Sequence, residues 1–153
     1  MGADKFIEPC QVFVDVDVTS KGEALEFFAE KGAELGIGSS AGEILGAFRA
    51  REDLGPTGME GGLAIPHAKS DAISRPAVCL AKFSRPLEWE SLDGQPVTVA
   101  VALYVPESEA GSTHVRYLSK VAVMASRPGF SSFISSCDDP QEIATRLSDG
   151  IQG

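Results

Sequence analysis

Residues 97–105 read "VTVAVALYV", the longest apolar run in the chain. It is strand-length, and it leaves no polar face for water, so it predicts a strand covered on both sides. Residues 77–83, "AVCLAKF", repeat the pattern and predict a second central strand. Between them "SLDGQP" (91–96) supplies a D-G turn. Upstream, "QVFVDVDV" (11–18) alternates strictly, so Val12, Val14, Val16 and Val18 share one face and Asp15 and Asp17 the other. That is a strand with one buried side. "LAIPH" (63–67) is short and extended, because the residue before a proline avoids the helical region.

Helical periodicity fills the remainder. Over 20–36, Ser20 and Glu23 have capping-box spacing, Leu25, Phe28 and Ala29 form a stripe, and Gly36 stands where the helix should end. Over 40–52, Ser40 and Glu43 repeat the box ahead of Ile44 and Phe48. "THVRYLSKVAVMAS" (113–126) carries Val115, Leu118, Val121, Ala122 and Ala125 on one side, and Pro128 ends it. A short apolar helix is expected over Phe130–Ile134. A final helix begins with Asp139 as cap and Pro140 at its first position, buries Ile143 and Leu147, and closes at Gly150. Strands interleaved with helices, without repeats or linkers, predict one α/β layered domain over residues 1–153.

Composition narrows the function. A formal charge of −9 speaks against nucleic-acid binding and against adhesion to anionic lipid. Cys10, Cys79 and Cys137 are odd in number and form no C-x-x-C pair, which fits a reducing compartment rather than zinc or a disulfide framework. Cys79, inside an apolar run, reads as a buried small hydrophobe. There is no apolar leader and no run long enough to span a membrane, so a cytoplasmic location is expected.

Three polar side chains stand where chemistry is plausible. His67, in "GGLAIPHAKS" (61–70), leaves an extended segment beside a glycine-rich loop. Pro66 stiffens its approach, and Gly61 and Gly62 permit close backbone approach. Read locally, His67 is either a site or a loop histidine without a role. His114 lies on the apolar stripe of its helix, near an N-terminus whose orphan N–H groups favour an anion. It is either a site residue or a core-edge histidine satisfied by a carbonyl. Arg51, three residues after Phe48, faces the core side of its helix. It requires a partner: an Asp or Glu, solvent reached by snorkelling, or a phosphate gripped by two nitrogens. "GSSAG" (38–42) matches a nucleophile elbow literally, but a helix precedes it and Ser40 serves better as a cap. The glycine-rich loop lacks the G-K-[ST] of a P-loop. His67 and His114 have no tight metal-ligand spacing.

Taken together, the order is specific. An arginine ends a helix, a glycine-rich loop follows, then A-I-P-H, a D-G turn, an apolar strand with V-P-E, and a histidine opening a helix. The stretches "RAREDLGPTGMEGGLAIPHAKS" (49–70), "RPLEWESLDGQPV" (85–97), "ALYVPE" (102–107) and "STHVRYLSKVA" (112–122) carry this order. It resembles the IIA proteins of the sugar phosphotransferase system, in the fructose/mannitol class. The resemblance implies a mixed, mostly parallel sheet with helices on both faces. It implies that His67 is phosphorylated, at Nε2, by the phosphocarrier HPr. His114 would orient the phosphoryl group and Arg51 would offset its charge, with no metal or cofactor. A IIB cysteine would take the phosphate, the membrane would be reached only through IIC, and the sugar would not be touched. A nitrogen-regulatory IIA module, signalling through its phosphorylation state, is the alternative.

Two departures stand out. The family usually reads G-I-G-N-G before A-I-P-H, and this chain reads "GMEGG" (58–62). Glu60 would repel a phosphohistidine and is therefore expected to face solvent. Ala68 stands where glycine is commoner. Met59, Leu63 and Ala68 are expected to offer apolar contact to the carrier, and the net charge to steer its basic site.

Overall fold

A computed structural model describes residues 9–109, 116, 120, 123–124 and 127–152. Its elements are β1 (Val12–Val16), α1 (Lys21–Glu34), α2 (Ala41–Leu54), β2 (Leu63–Ala64), β3 (His67–Ser70), β4 (Ala77–Leu87), β5 (Val97–Pro106), α3 (Pro128–Ser136) and α4 (Pro140–Gln152). The strand order is β1-β4-β5-β2, with β3 also on β5. Among the described strands β4 and β5 pair antiparallel, and β1 on β4, and β2 and β3 on β5, are parallel. The sheet is therefore mixed and mostly parallel, with the two apolar runs at its centre.

Side-chain alternation along the central strands sorts residues into two cores. Ala100, Ala102 and Tyr104 of β5 join Cys79 and Ala81 of β4 in a core closed by Leu25, Phe28, Ile44 and Phe48 of α1 and α2. Val101, Leu103, Val78 and Leu80 face the other way, into a core with Phe130 and Ile134 of α3 and Ile143 and Leu147 of α4. Helices thus cover both faces. The first core is organised by Tyr104, which is fully buried. Its ring meets Phe48 edge-on at 5.6 Å between centroids, and its hydroxyl donates to the Phe28 carbonyl at 2.7 Å. Cys79 is buried in the same core, and burial pushes its thiol up to about 12. It is an inert hydrophobe there, as its apolar setting predicts.

The caps also match their sequence signals. Ser20 Oγ accepts from Glu23 N at 3.1 Å and Ser40 Oγ from Glu43 N at 3.2 Å. The first box is modified, since Glu23 Oε1 accepts from Thr19 N and Thr19 Oγ1 rather than from Ser20. Asp139 Oδ1 accepts from Gln141 N at the start of α4. Two expectations are corrected. Helix α4 does not close at Gly150 but runs to Gln152. The four valines of residues 12–18 do not share a face, because Val12 and Val14 pack into the second core and Val16 and Val18 into the first. Pairing with β4 shifts between Phe13 and Val16, and Asp15 takes a positive φ of 55°. A bulge of this kind moves the side chains beyond it to the opposite face.

The buried tyrosine gives a graded test. Phe48→Ala should cost about 3–5 kcal/mol, as truncations of buried aromatics do, and Tyr104→Phe about 1 kcal/mol for the lost hydrogen bond to the Phe28 carbonyl. Denaturant unfolding measures both, and equal costs would contradict this division of roles.

Candidate functional site

The chain between α2 and β3 builds the site. After Gly55 it folds back on itself, with Ile65 N donating to Thr57 O at 3.0 Å and Met59 N to Leu63 O at 2.7 Å. Gly61 and Gly62 make the reversal at φ of 75° and 81°, where side chains are strained. Gly61 N–H donates to Asp93 Oδ2 at 3.0 Å, and the Gly62 carbonyl accepts from Thr98 N at 2.8 Å. The two glycines serve the turn and its tie to the 91–98 segment. Gly58 has a different reason. A Cβ there would collide with the Glu90 carbonyl oxygen, so only glycine lets the loop press against that backbone.

Pro66 then interrupts the edge strand without losing its place. Leu63 and Ala64 pair with Val99 and Ala100, and the same offset resumes at His67 opposite Leu103. Pro66 has no N–H to give, but its carbonyl accepts from Leu103 N at 2.9 Å. His67 is thereby fixed as the first residue of β3, at the sheet edge.

His67, Arg51, Pro56, Thr57, Met59, Ile65 and Val123 line one pocket of about 270 Å³. Arg51 arrives from the last turn of α2, and its Nη1 donates to the Gly55 carbonyl at 2.9 Å. That bond answers part of its need for a partner, and Arg51 shares the pocket lining with the imidazole. His67 Nδ1 is buried. Burial of the ring, and then the Arg51 charge, hold its pKa below the ordinary histidine value. The Ile65 backbone and the Glu52 charge oppose them. A neutral imidazole with a free lone pair is a competent nucleophile near pH 7.

Sequence reasoning missed Glu52. Its side chain is 5% exposed, Thr57 Oγ1 donates to its Oε1, and Lys21 Nζ lies 3.6 Å from its Oε2. The helical period contains the signal, since Ile44, Phe48 and Glu52 are spaced i, i+4, i+8. Of the three site residues expected, Arg51 and His67 come together, and His114 lies outside the described residues. Glu60 is exposed, as the repulsion argument requires. Leu63 and Ala68 are buried in the two cores and are not available as surface contacts. The exposed apolar side chain at the pocket is Val123.

The electrostatics give a signed prediction. By NMR, His67 should titrate below about 6.5, and Arg51→Met should move the midpoint upward. Because the folded pKa lies below the unfolded one, this contribution to stability is intact above about pH 6.5 and is lost as pH falls through the folded midpoint. An unmoved midpoint in the variant would contradict the action of the Arg51 charge on His67.

Residues 5–150 match the family described as phosphoenolpyruvate-dependent sugar phosphotransferase system, EIIA 2. The chain is 36% identical over 132 residues to the 2-O-alpha-mannosyl-D-glycerate-specific EIIABC component of Escherichia coli, covering 86% of this chain but only 20% of that protein. It is 32% identical over 141 residues to a nitrogen regulatory protein of Bradyrhizobium diazoefficiens, covering 92% of this chain and 91% of the relative. The crystal structure of nitrogen regulatory protein IIA-Ntr from Neisseria meningitidis matches with a TM-score of 0.84 at 26% identity, over 94% of this chain and 97% of that one. The relatives span both the sugar and the nitrogen-regulatory branches, so the fructose/mannitol class suggested by the motifs is too narrow an assignment. With the family matched along nearly its whole length, this chain belongs to the EIIA type 2 family of the sugar phosphotransferase system, whose general function is phosphoryl transfer.

Proposed function

We propose that residues 1–153 act as one phosphoryl-accepting domain in which His67 takes a phosphoryl group from a phosphohistidine carrier of the HPr type. The observation that carries this reading is the placing of His67 and Arg51 in one pocket at the sheet edge. Phosphoryl transfer asks a protein mainly for positioning and charge stabilisation. Register with β5 positions His67, and Arg51 supplies charge next to where the phosphoryl oxygens would gather. By the family resemblance Nε2 is the nitrogen that takes the incoming group, which fits the burial of Nδ1. His114, by the family resemblance, would hydrogen-bond a phosphoryl oxygen.

The better supported of the two branches is regulatory: protein partners distinguish the phosphorylated form from the free one. The Bradyrhizobium diazoefficiens relative and the Neisseria meningitidis structure, each matched over nearly its full length, support it. A relay to a IIB cysteine for sugar uptake is the second reading, favoured by the 36% identity to the EIIABC component. This chain spans about a fifth of that relative.

Incubation with enzyme I, HPr and labelled phosphoenolpyruvate should give one acid-labile label, absent from His67→Ala. Label retained in that variant would overturn the assignment. Arg51→Met should slow transfer by about 10–100-fold while the acceptor remains, the scale expected for losing a charged donor at a developing charge. Chasing the label into a purified IIB protein separates the two branches: rapid loss to its cysteine supports the sugar relay, and retention supports regulation.

A further inference from the structure

The segment between β4 and β5 carries a second cavity that phosphoryl transfer leaves unused. A groove of about 540 Å³ is lined by Pro56 and by Glu88, Trp89, Glu90, Ser91 and Gln95 among others. The His67 pocket measures about 270 Å³, and Pro56 lines both. Glu88 and Glu90 are exposed, and neither carboxylate has an ion pair or hydrogen bond among the described residues. The third carboxylate of the segment, Asp93, is by contrast taken up by Gly61 N–H, Gln95 N–H and the Ser91 hydroxyl. No lysine or arginine stands between Pro86 and Pro106, and Arg85 before them is paired with Asp17 at 2.8 Å. Trp89, the one tryptophan of the chain, is 6% exposed and packs in the first core. Its Nε1 is buried and has no hydrogen-bond partner among the described residues. A buried indole N–H ordinarily has an acceptor, and a phenylalanine would fill the core without leaving a donor unpaired. Trp89 thus brings a donor in need of an acceptor to the wall of a groove that also holds two unpaired carboxylates.

We propose that this groove docks a basic, extended segment of a protein partner, whose lysine or arginine side chains meet Glu88 and Glu90 and whose backbone carbonyl accepts from Trp89 Nε1–H. Charge complementarity sets the sign of the occupant. Two features favour a peptide over a small cation. A cation offers no acceptor to an N–H, whereas every peptide unit carries a carbonyl. Leu92, 72% exposed in the same segment, adds apolar surface that a chain can cover. Because the indole N–H is covered in the free chain, seating the carbonyl requires a side-chain adjustment at the groove, of the kind common on binding. Exposed carboxylates give steering and specificity more than affinity, so the docking is weak and salt-sensitive. A partner seated here stands next to the His67 pocket, across Pro56. The inference gives a surface to the protein partner that the regulatory reading requires, and it does not depend on His67 accepting phosphate.

The test uses the full, unphosphorylated chain and the peptide acetyl-Gly-Arg-Lys-Gly-amide. One tryptophan gives one indole signal in a proton–nitrogen correlation spectrum. The peptide should move that signal downfield, as a newly made hydrogen bond does. By calorimetry, Glu88→Gln with Glu90→Gln should weaken binding by about three- to tenfold, the scale of two exposed ion pairs lost. Glu26→Gln with Glu30→Gln removes the same charge from exposed positions of α1 and should change binding by less than about twofold. Trp89→Phe, which keeps a buried ring and removes the donor, should weaken binding by about three- to tenfold. An indole signal that the peptide does not move, equal losses in the two double variants, or argininamide binding as tightly as the peptide would each overturn the inference. The two readings fail separately: an empty groove leaves label on His67 unaffected, and a missing label leaves peptide binding in place.

Discussion

The pairing of the 63–70 segment with β5 is the constraint on which the site depends. β5 is held on its other side by β4 and is covered by core on both faces, so it cannot shift without disturbing both cores. Leu63, Ala64 and His67 keep one register along it despite the break at Ile65–Pro66. A slip of one residue would turn His67 to the other face of the sheet and bury a ring where Ala68 now sits. The same register ties the glycine-rich loop, since Thr57 pairs with Ile65 and Gly62 with Thr98. The positions of His67 and of the loop beside it are thus consequences of sheet packing.

The electrostatics of the pocket are a balance between neighbours in one helical turn. Arg51 and Glu52 are adjacent in α2, and their charges move the His67 pKa in opposite directions. Each is anchored by backbone or side chain near the helix end: Arg51 by the Gly55 carbonyl and Glu52 by Thr57 and Lys21. Anchoring matters because a charge fixed in place acts without reorganisation when a reacting group arrives.

Much of this was legible in the sequence, for physical reasons that can be named. The two central strands, both serine caps and the start of α4 are encoded locally, in hydrophobic period and in side chains that satisfy helix-end N–H groups. Arg51 and His67 were visible as polar residues in places that demand a partner. What was not legible depends on tertiary packing. Nothing local to Asp15 announces that its φ is positive and that the valines on either side of it part company. Leu63 and Ala68 look like surface contacts beside a histidine, but each is a strand residue pressed into a core. Glu52 lay on the buried stripe set by Ile44 and Phe48, yet its charge argued for solvent until Thr57 and Lys21 were brought to it by the loop and by α1.

The central claim is that His67 accepts the phosphoryl group, at Nε2. Long-range proton–nitrogen correlation of the imidazoles, recorded before and after phosphorylation by HPr, tests it most directly. Phosphorus is expected to attach to Nε2 of His67 while Nδ1 keeps its proton. A phosphorylated Nδ1, or a phosphoryl group on any residue other than His67, would contradict it.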